Sequence, residues 1–375
     1  MGGRESMIPF LSEDVPFFQV RGLVLALLLG RQLVPGLCRN WNERHTRIIR
    51  EHGLGPWLYS GVRDRLELEI PPALSSFFHN EYRRSVVASL IREGILSRVA
   101  EELHRRGVSP AGLKGAYLMS KVYEDPALRP MGDLDLLVPE GDFRTALQII
   151  EEMGYRKAYF SPDGYHFAIQ PSVSLIRNKP PGDCIDLHFG IRLMDYYRFP
   201  SRILWENMIE DSIHGVPLRH MSPELNFIHI GVHLLNHGGA LRDWLDLALL
   251  MRRADISWRR VTSLARDLGV LRPVYWVCRG LAPEWGPPTA PEIMKELADY
   301  VPNWLEDRVI CRRSRYMWRT YSRIRSLDGW KNRFGYLRSR MFPTREHRLA
   351  VTGTTGLIPY AASKVGYLLR LWRKW

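Results

Sequence analysis

The sequence predicts an α+β fold: a small mixed sheet, preceded by a mainly helical N-terminal segment and followed by a helical C-terminal half. Three observations lead there. Leu134-Asp135-Leu136-Leu137 and Ile185-Asp186-Leu187 alternate apolar and acidic residues with the period of two expected of half-buried strands. Between Asn80 and Arg106, Val86, Val87, Leu90, Ile91, Ile95, Val99 and Leu103 recur at the spacing of one helix face. A second helical pattern starts at Ser222-Pro223-Glu224, where serine caps and proline fits the first turn.

Taken in order, residues 1–79 read as helices broken at Pro35-Gly36, Gly53–Pro56 and Pro71-Pro72. The long helix then runs to Gly107. Ser109-Pro110 leads into a glycine turn, Lys114-Gly115-Ala116, a short helix and the segment Arg129-Pro130-Met131-Gly132. The acid pair Asp133-Leu134-Asp135 follows. A helix is expected from about Gly141 to Met153, ended by Gly154, with strands near Tyr155–Phe160 and His166–Ile176 and a last strand carrying Asp186 and His188. The core therefore spans residues 80–215, a helical cover 216–300, and a basic, aromatic-rich region 301–375.

On a strand, Asp133 and Asp135 share a face, with carboxylates about 6–7 Å apart. Like charges so placed raise each other's pKa, and a divalent cation removes that cost. The plain alternative is a solvent face carrying two acids. Asp186, again between apolar residues, supplies a matching third carboxylate, with His188 on the same face.

The words Leu113-Lys114-Gly115-Ala116-Tyr117-Leu118, Leu128-Arg129-Pro130-Met131-Gly132-Asp133-Leu134-Asp135-Leu136-Leu137-Val138-Pro139 and Ile185-Asp186-Leu187-His188-Phe189-Gly190-Ile191 resemble the uncharacterised nucleotidyltransferase family of bacteria and archaea, within the polymerase-β-like superfamily. The resemblance covers roughly residues 80–260. It implies transfer of a nucleoside monophosphate from a nucleoside triphosphate, with Mg²⁺ or Mn²⁺ held by Asp133, Asp135 and Asp186, and Asp186 as base or base-replacing ligand. It implies nucleotide contacts from Lys114, Gly115, Ala116, Arg129 and His188. One departure is Ala116, which stands where the superfamily usually has a second glycine or a serine and supplies no hydroxyl. Lys114 would contact phosphate as a point charge or is simply a turn residue; Arg129 would pair with triphosphate oxygens or bond loop carbonyls. The acceptor is a small molecule, a peptide or glycan precursor, or an RNA end as in toxin-type relatives. A catalytically silent nucleotide- or partner-binding protein is the rival reading.

His229, His233 and His237 lie four apart, on one helix face, but the glutamate of an H-E-x-x-H zinc motif is missing between the last two. They read as buried hydrogen-bonding groups or substrate contacts. His233, His237, Arg242 and Asp246 are further candidates for nucleotide or acceptor binding, the alternative for Asp246 being an interhelical Arg–Asp or His–Asp network.

Four scattered cysteines without a C-x-x-C pair exclude a zinc knuckle or disulfide framework and fit a reducing cytoplasm. The apolar run Leu23–Leu29, between Arg21 and Arg31, is too short to span a bilayer. The net charge is +13. Residues 301–375 hold 17 Lys and Arg against 4 Asp and Glu, so the whole excess lies there. That region interleaves charge with Trp318, Tyr321, Trp330, Phe334 and Tyr336 and ends in a basic amphipathic stretch. It suits a solvated or lid-forming helical face, an anionic membrane contact, or nucleic acid. Binding of the full chain to anionic vesicles or RNA is expected to fall steeply with salt through counterion release. A folded chain ending near Val301 should lose most of that affinity in vesicle co-sedimentation and RNA filter binding yet keep metal-dependent nucleotide binding. Loss of nucleotide binding instead, with no vesicle or RNA binding by the full chain, would make the region a lid.

Overall fold

The computed structural model describes residues 15–32, 38–63, 70–158, 171–177, 183–193, 197–237, 240–281 and 284–285, with the isolated residues 65, 295 and 334. The expectations for Pro35-Gly36 and for the basic region 301–375 fall outside the described residues.

Three short helices come first: α1 (Val15–Leu28), α2 (Glu43–Glu51) and α3 (Gly55–Val62). Asn42 caps α2 through its side chain, and Pro56 sits in the first turn of α3. The long helix α4 (Pro72–Arg105) begins eight residues before the expected Asn80. The Pro71-Pro72 pair thus starts it rather than ending what precedes, because proline at the first turn gives up an amide that would be unpaired anyway.

The sheet follows. Its elements are β1 (Ala111–Gly112), the helical turn α5 (Gly115–Tyr117) continued by a π-helical turn (Leu118–Val122), β2 (Leu134–Leu137), α6 (Phe143–Glu152), β3 (Arg156–Lys157), β4 (Ser172–Arg177) and β5 (Asp183–His188). Then come a separate hairpin, β6 (Ile191–Leu193) and β7 (Tyr197–Phe199), and a short α7 (Ser201–Glu206). After it stand β8 (Met208–Ile209), β9 (Ser212–Ile213), β10 (Val216–Pro217) and β11 (Arg219–Met221). The seven-stranded mixed sheet has the order β3-β4-β5-β2-β1-β11-β8, and one of its strands, β11, lies past residue 215. β2 pairs with β5 in parallel and with β1 antiparallel. Four helices close the described chain: α8 (Pro223–His237), α9 (Leu241–Arg253), α10 (Trp258–Asp267) and α11 (Leu271–Leu281).

Alternation on the strands divides the interior in two. Leu134, Leu136, Ile185, Leu187, Val173 and Leu175 face one way and bury against Ile95–Leu103 of α4 and Ala146, Ile149 and Ile150 of α6. Leu113 and Leu137 belong to the other core, where α1–α3 and α8–α11 pack together through residues such as Val24, Leu58, Leu225, Leu245 and Val277. The N-terminal helices and the helical cover, far apart in sequence, therefore share one core. No helix among the described residues is long and apolar enough to cross a membrane.

Packing in that core is close where α11 meets α9. A Cβ added at Gly280 would stand 2.4 Å from Cη2 of Trp244. Trp244 is 2% exposed and stacked on Trp285, so it has nowhere to swing. Gly280→Ala gains up to about 1 kcal/mol of helix propensity. Overpacking costs about 1–3 kcal/mol. The variant is therefore expected to be destabilised, seen as a lower denaturant midpoint at unchanged slope; a midpoint equal to or above the parent would show that this contact yields.

Candidate active site

Pairing in register sets the site. Asp135 stands opposite Asp186, and Leu137 opposite His188, across the parallel β2–β5 ladder. Residues opposite each other share a face, so burial of Leu134, Leu136, Ile185 and Leu187 on one side turns Asp135, Asp186 and His188 to the other. Ligand-capable atoms of these three lie within 4.8 Å of one another. His188 donates from Nε2 to Oδ1 of Asp135 at 2.9 Å. Oδ1 of Asp186 is buried and has no hydrogen-bond partner among the described residues. A buried carboxylate oxygen left unpaired is costly unless a cation or donor meets it. Two carboxylates and an imidazole around such an oxygen fit a divalent ion.

Asp133 stands apart from that group. The strand begins at Leu134, so Asp133 occupies the bend ahead of it and is exposed. It still feels the other acids: burial first, then Asp135 and Asp186, push its carboxyl up, with Lys114 opposing. Asp135 behaves differently. Burial pushes it up, but Lys114 and the His188 hydrogen bond outweigh burial and hold it well below the ordinary carboxylate range. The expected mutual repulsion therefore falls on Asp133, not evenly on the pair.

The glycine turn is tied directly to the acid strand, since the Leu113 amide donates to the Asp135 carbonyl at 3.0 Å. Lys114 holds φ +33°, a region costly for a side-chain-bearing residue. A Cβ at Gly115 would lie 2.5 Å from Met131 Sδ and 3.0 Å from Arg129 Nη1, so any larger residue would have to displace the Met131 and Arg129 side chains that close over the turn. Ala116 is buried, its methyl packed toward Gly112, and its amide donates to Leu113 at 3.0 Å. That amide, expected to reach phosphate, is already engaged.

Arg129 is placed differently from a triphosphate ligand. It is 8% exposed and grips Asp246 with Nε and Nη2 at 2.9–3.2 Å, while Tyr123 donates to the same carboxylate at 2.7 Å. The interhelical network weighed for Asp246 is what forms, and Arg129 is its other half. Arg242 donates to the Pro130 carbonyl at 3.0 Å, clamping the same segment. His233 is half-buried with its ring 6.5 Å from that of His229. His237 lies in the last turn of α8, with its side chain outside the described residues.

Two residues near the site are not among the binding candidates that the sequence names, although His229 belongs to the histidine row read as buried hydrogen-bonding groups or substrate contacts. His229 is 2% exposed, its Nδ1 lacks a partner among the described residues, and burial together with Lys114 and His188 holds its pKa well below the ordinary value against the pull of Asp135. Asp243 is half-buried beside Arg242, and burial and Asp246 push its carboxyl up against Arg242, Arg129 and Lys114. The sequence signal was present in both cases: His229 belongs to the histidine row, and Asp243 lies between two named candidates.

An α+β sheet with carboxylates converging from neighbouring parallel strands beside a glycine turn is the arrangement expected from the sequence. The family described as "Uncharacterised nucleotidyltransferase" matches residues 39–286, and the chain belongs to it. Among solved structures, an antigenic nucleotidyltransferase-like protein from Paracoccidioides brasiliensis is similar at 15% identity and a TM-score of 0.32, over 48% of this chain and 88% of that one. No curated protein matches.

The uneven charge balance gives opposite expectations for two conservative changes in metal-free protein. Asp133→Asn removes a carboxylate whose pKa is raised on folding, so it should leave stability at neutral pH unchanged or improved. Asp135→Asn removes one whose pKa is lowered, so it should destabilise. That deficit should be full above the unfolded value of 3.8 and shrink as pH falls below it. Denaturation midpoints at pH 7 and pH 3 check both signs; a neutral Asp135→Asn at pH 7 contradicts the arrangement.

Proposed function

We propose that the chain transfers a nucleoside monophosphate from a nucleoside triphosphate to an acceptor hydroxyl or phosphate, in a reaction that depends on a divalent metal. The observation that carries this reading is the convergence of Asp135, Asp186 and His188 around a buried, unpaired Asp186 oxygen. Asp135 and Asp186 would hold Mg²⁺ or Mn²⁺, with Asp133 joining from the bend. When bound, such an ion polarises the α-phosphate and lowers the pKa of the attacking hydroxyl.

The chain's own groups do the rest. As the acceptor oxygen bonds to the α-phosphorus, the bond to the bridging oxygen breaks and pyrophosphate leaves. Asp186 either takes the acceptor proton on the carboxylate oxygen not committed to the ion or, as a ligand of that ion, makes a separate base unnecessary. Lys114, already set among the carboxylates, supplies a fixed positive charge for the triphosphate. Arg129, engaged with Asp246, positions the turn rather than touching phosphate. In this reading residues 80–215 supply the catalytic sheet, 216–300 its cover, and 1–79 support for the cover. Acceptors of the expected classes, small molecule, peptide or glycan precursor, or RNA end, remain equal within it.

A binding protein without turnover is the second reading, favoured by one observation: the Ala116 amide is engaged and its side chain buried, so the turn offers phosphate one group fewer. Incubating the full chain with each α-labelled nucleoside triphosphate, Mg²⁺ or Mn²⁺ and cell extract separates the two. Label transfer is expected with at least one nucleotide and should fall by about a thousandfold or more in Asp186→Asn, the scale on which acid–base and metal-site groups act. Calorimetric nucleotide binding with no transfer from any of the four nucleotides would favour the silent protein.

A further inference from the structure

We infer, resting on the metal-dependent reading above, that His188 is itself a ligand of the bound ion and biases the site toward a first-row divalent transition ion such as Mn²⁺ over Mg²⁺. Three features of the geometry lead there. First, Nε2 of His188 and Oδ1 of Asp135 stand 2.9 Å apart. Two donors at right angles on one ion, each about 2.1 Å from it, are separated by about 3.0 Å. The pair therefore already has the spacing of neighbouring ligands, and an arriving cation would replace the hydrogen bond between them, the Nε2 proton passing to Nδ1 or to solvent.

Second, the third donor is available. Asp186 reaches the same 4.8 Å cluster, and its buried Oδ1 makes no hydrogen bond among the described residues. Third, the wall behind the cluster carries nitrogen. His229 is buried, its Nδ1 is unpartnered, and it interacts electrostatically with Asp135 and His188. A site built only for Mg²⁺ has little use for imidazole, because Mg²⁺ takes oxygen ligands and keeps several waters. Imidazole nitrogen suits Fe²⁺ and Zn²⁺, and Mn²⁺ shares carboxylate sites with Mg²⁺ while belonging to the same first-row order, so one nitrogen in the inner shell shifts selectivity away from Mg²⁺ by ligand type rather than by charge. The strand register fixes the donor: His188 lies opposite Leu137, which is fully buried, so its ring cannot leave the face that Asp135 and Asp186 share without breaking the ladder.

The test uses the full chain with Mn²⁺ alone and with Mn²⁺ plus pyrophosphate, a phosphate probe that contains no nitrogen. Loss of the free-ion electron paramagnetic resonance signal gives Mn²⁺ affinity, Mg²⁺ competition gives the selectivity, and pulsed spectra report any nitrogen bonded directly to the ion. Expected are Mn²⁺ binding at least about tenfold tighter than Mg²⁺ and a directly bonded nitrogen. In folded His188→Gln the nitrogen coupling should vanish and the Mn²⁺ preference drop by about tenfold or more. Bound Mn²⁺ with no nitrogen coupling in the parent chain would overturn the inference, leaving His188 as a group that orients Asp135 and the transferase reading intact. A coupling that survives in His188→Gln would overturn it too, by making another histidine the ligand. Absence of any bound Mn²⁺, with or without pyrophosphate, would remove metal dependence itself. The parent spectrum alone decides the first question even if the variant does not fold.

Discussion

Parallel pairing of β2 with β5 in a single register holds this site together. Asp135 meets Asp186 only because Leu134 meets Ile185 and Leu136 meets Leu187 on the opposite face. A slip of one residue would turn every buried side chain outward and every acid inward, at the cost of several fully buried aliphatic groups. The core under the sheet is thus what positions the carboxylates. A parallel pair also demands a crossover, and α6 lies within the one between β2 and β5. The residues that bury on that helix, Ala146, Ile149 and Ile150, close over the same aliphatic face that sets the register.

A second lock acts from the other side of the sheet. Arg129 and Asp246 are both buried and joined by three hydrogen bonds. Such a pair adds little net stability, since desolvation of both charges offsets their attraction, but leaving either without the other strands a buried charge. Its consequence here is positional. Arg129 and Met131 press on Gly115, Arg242 holds the Pro130 carbonyl, and Tyr123 completes the coordination of Asp246. The segment leading into β2 is therefore fixed both to the glycine turn and to α9, which ties the acid strand to the helical cover.

Much of this was legible in the sequence, and the failures have physical causes. Strong period-two and period-3.6 patterns placed β2, β5, α6, α8 and α9 close to where they lie, because each buries one face against a large core. The two- and three-residue strands between Ile191 and Met221 carry too few residues to show a period at all. Asp133 was grouped with Asp135 by strand alternation, yet the strand starts one residue later and the rule does not apply in the bend. For Arg129 the sequence offers triphosphate oxygens or loop carbonyls; its pairing with Asp246, 117 residues away, is announced by no local pattern. Ala116 looked like a weakened phosphate contact; the structure shows its methyl against Gly112, which explains the residue by packing.

The electrostatics of the turn give these pieces a common logic. Three carboxylates in one cleft ought to resist ionisation together, but Lys114 divides them. Its ammonium acts most on Asp135, which stays ionised, while Asp133 is left with desolvation and the repulsion of the other two acids. Environments that push neighbouring carboxyls apart in this way usually mark different roles. Asp135 is held charged by the protein, and Asp133 gains most from an added cation. Lys114 reaches its place only through a backbone conformation at φ +33° that a side chain disfavours, and the strain persists because Leu113 is bonded to Asp135 on one side and Gly115 is covered by Met131 on the other. Placing one lysine thus ties backbone strain, close packing at a glycine and the charge state of the acid strand into a single arrangement.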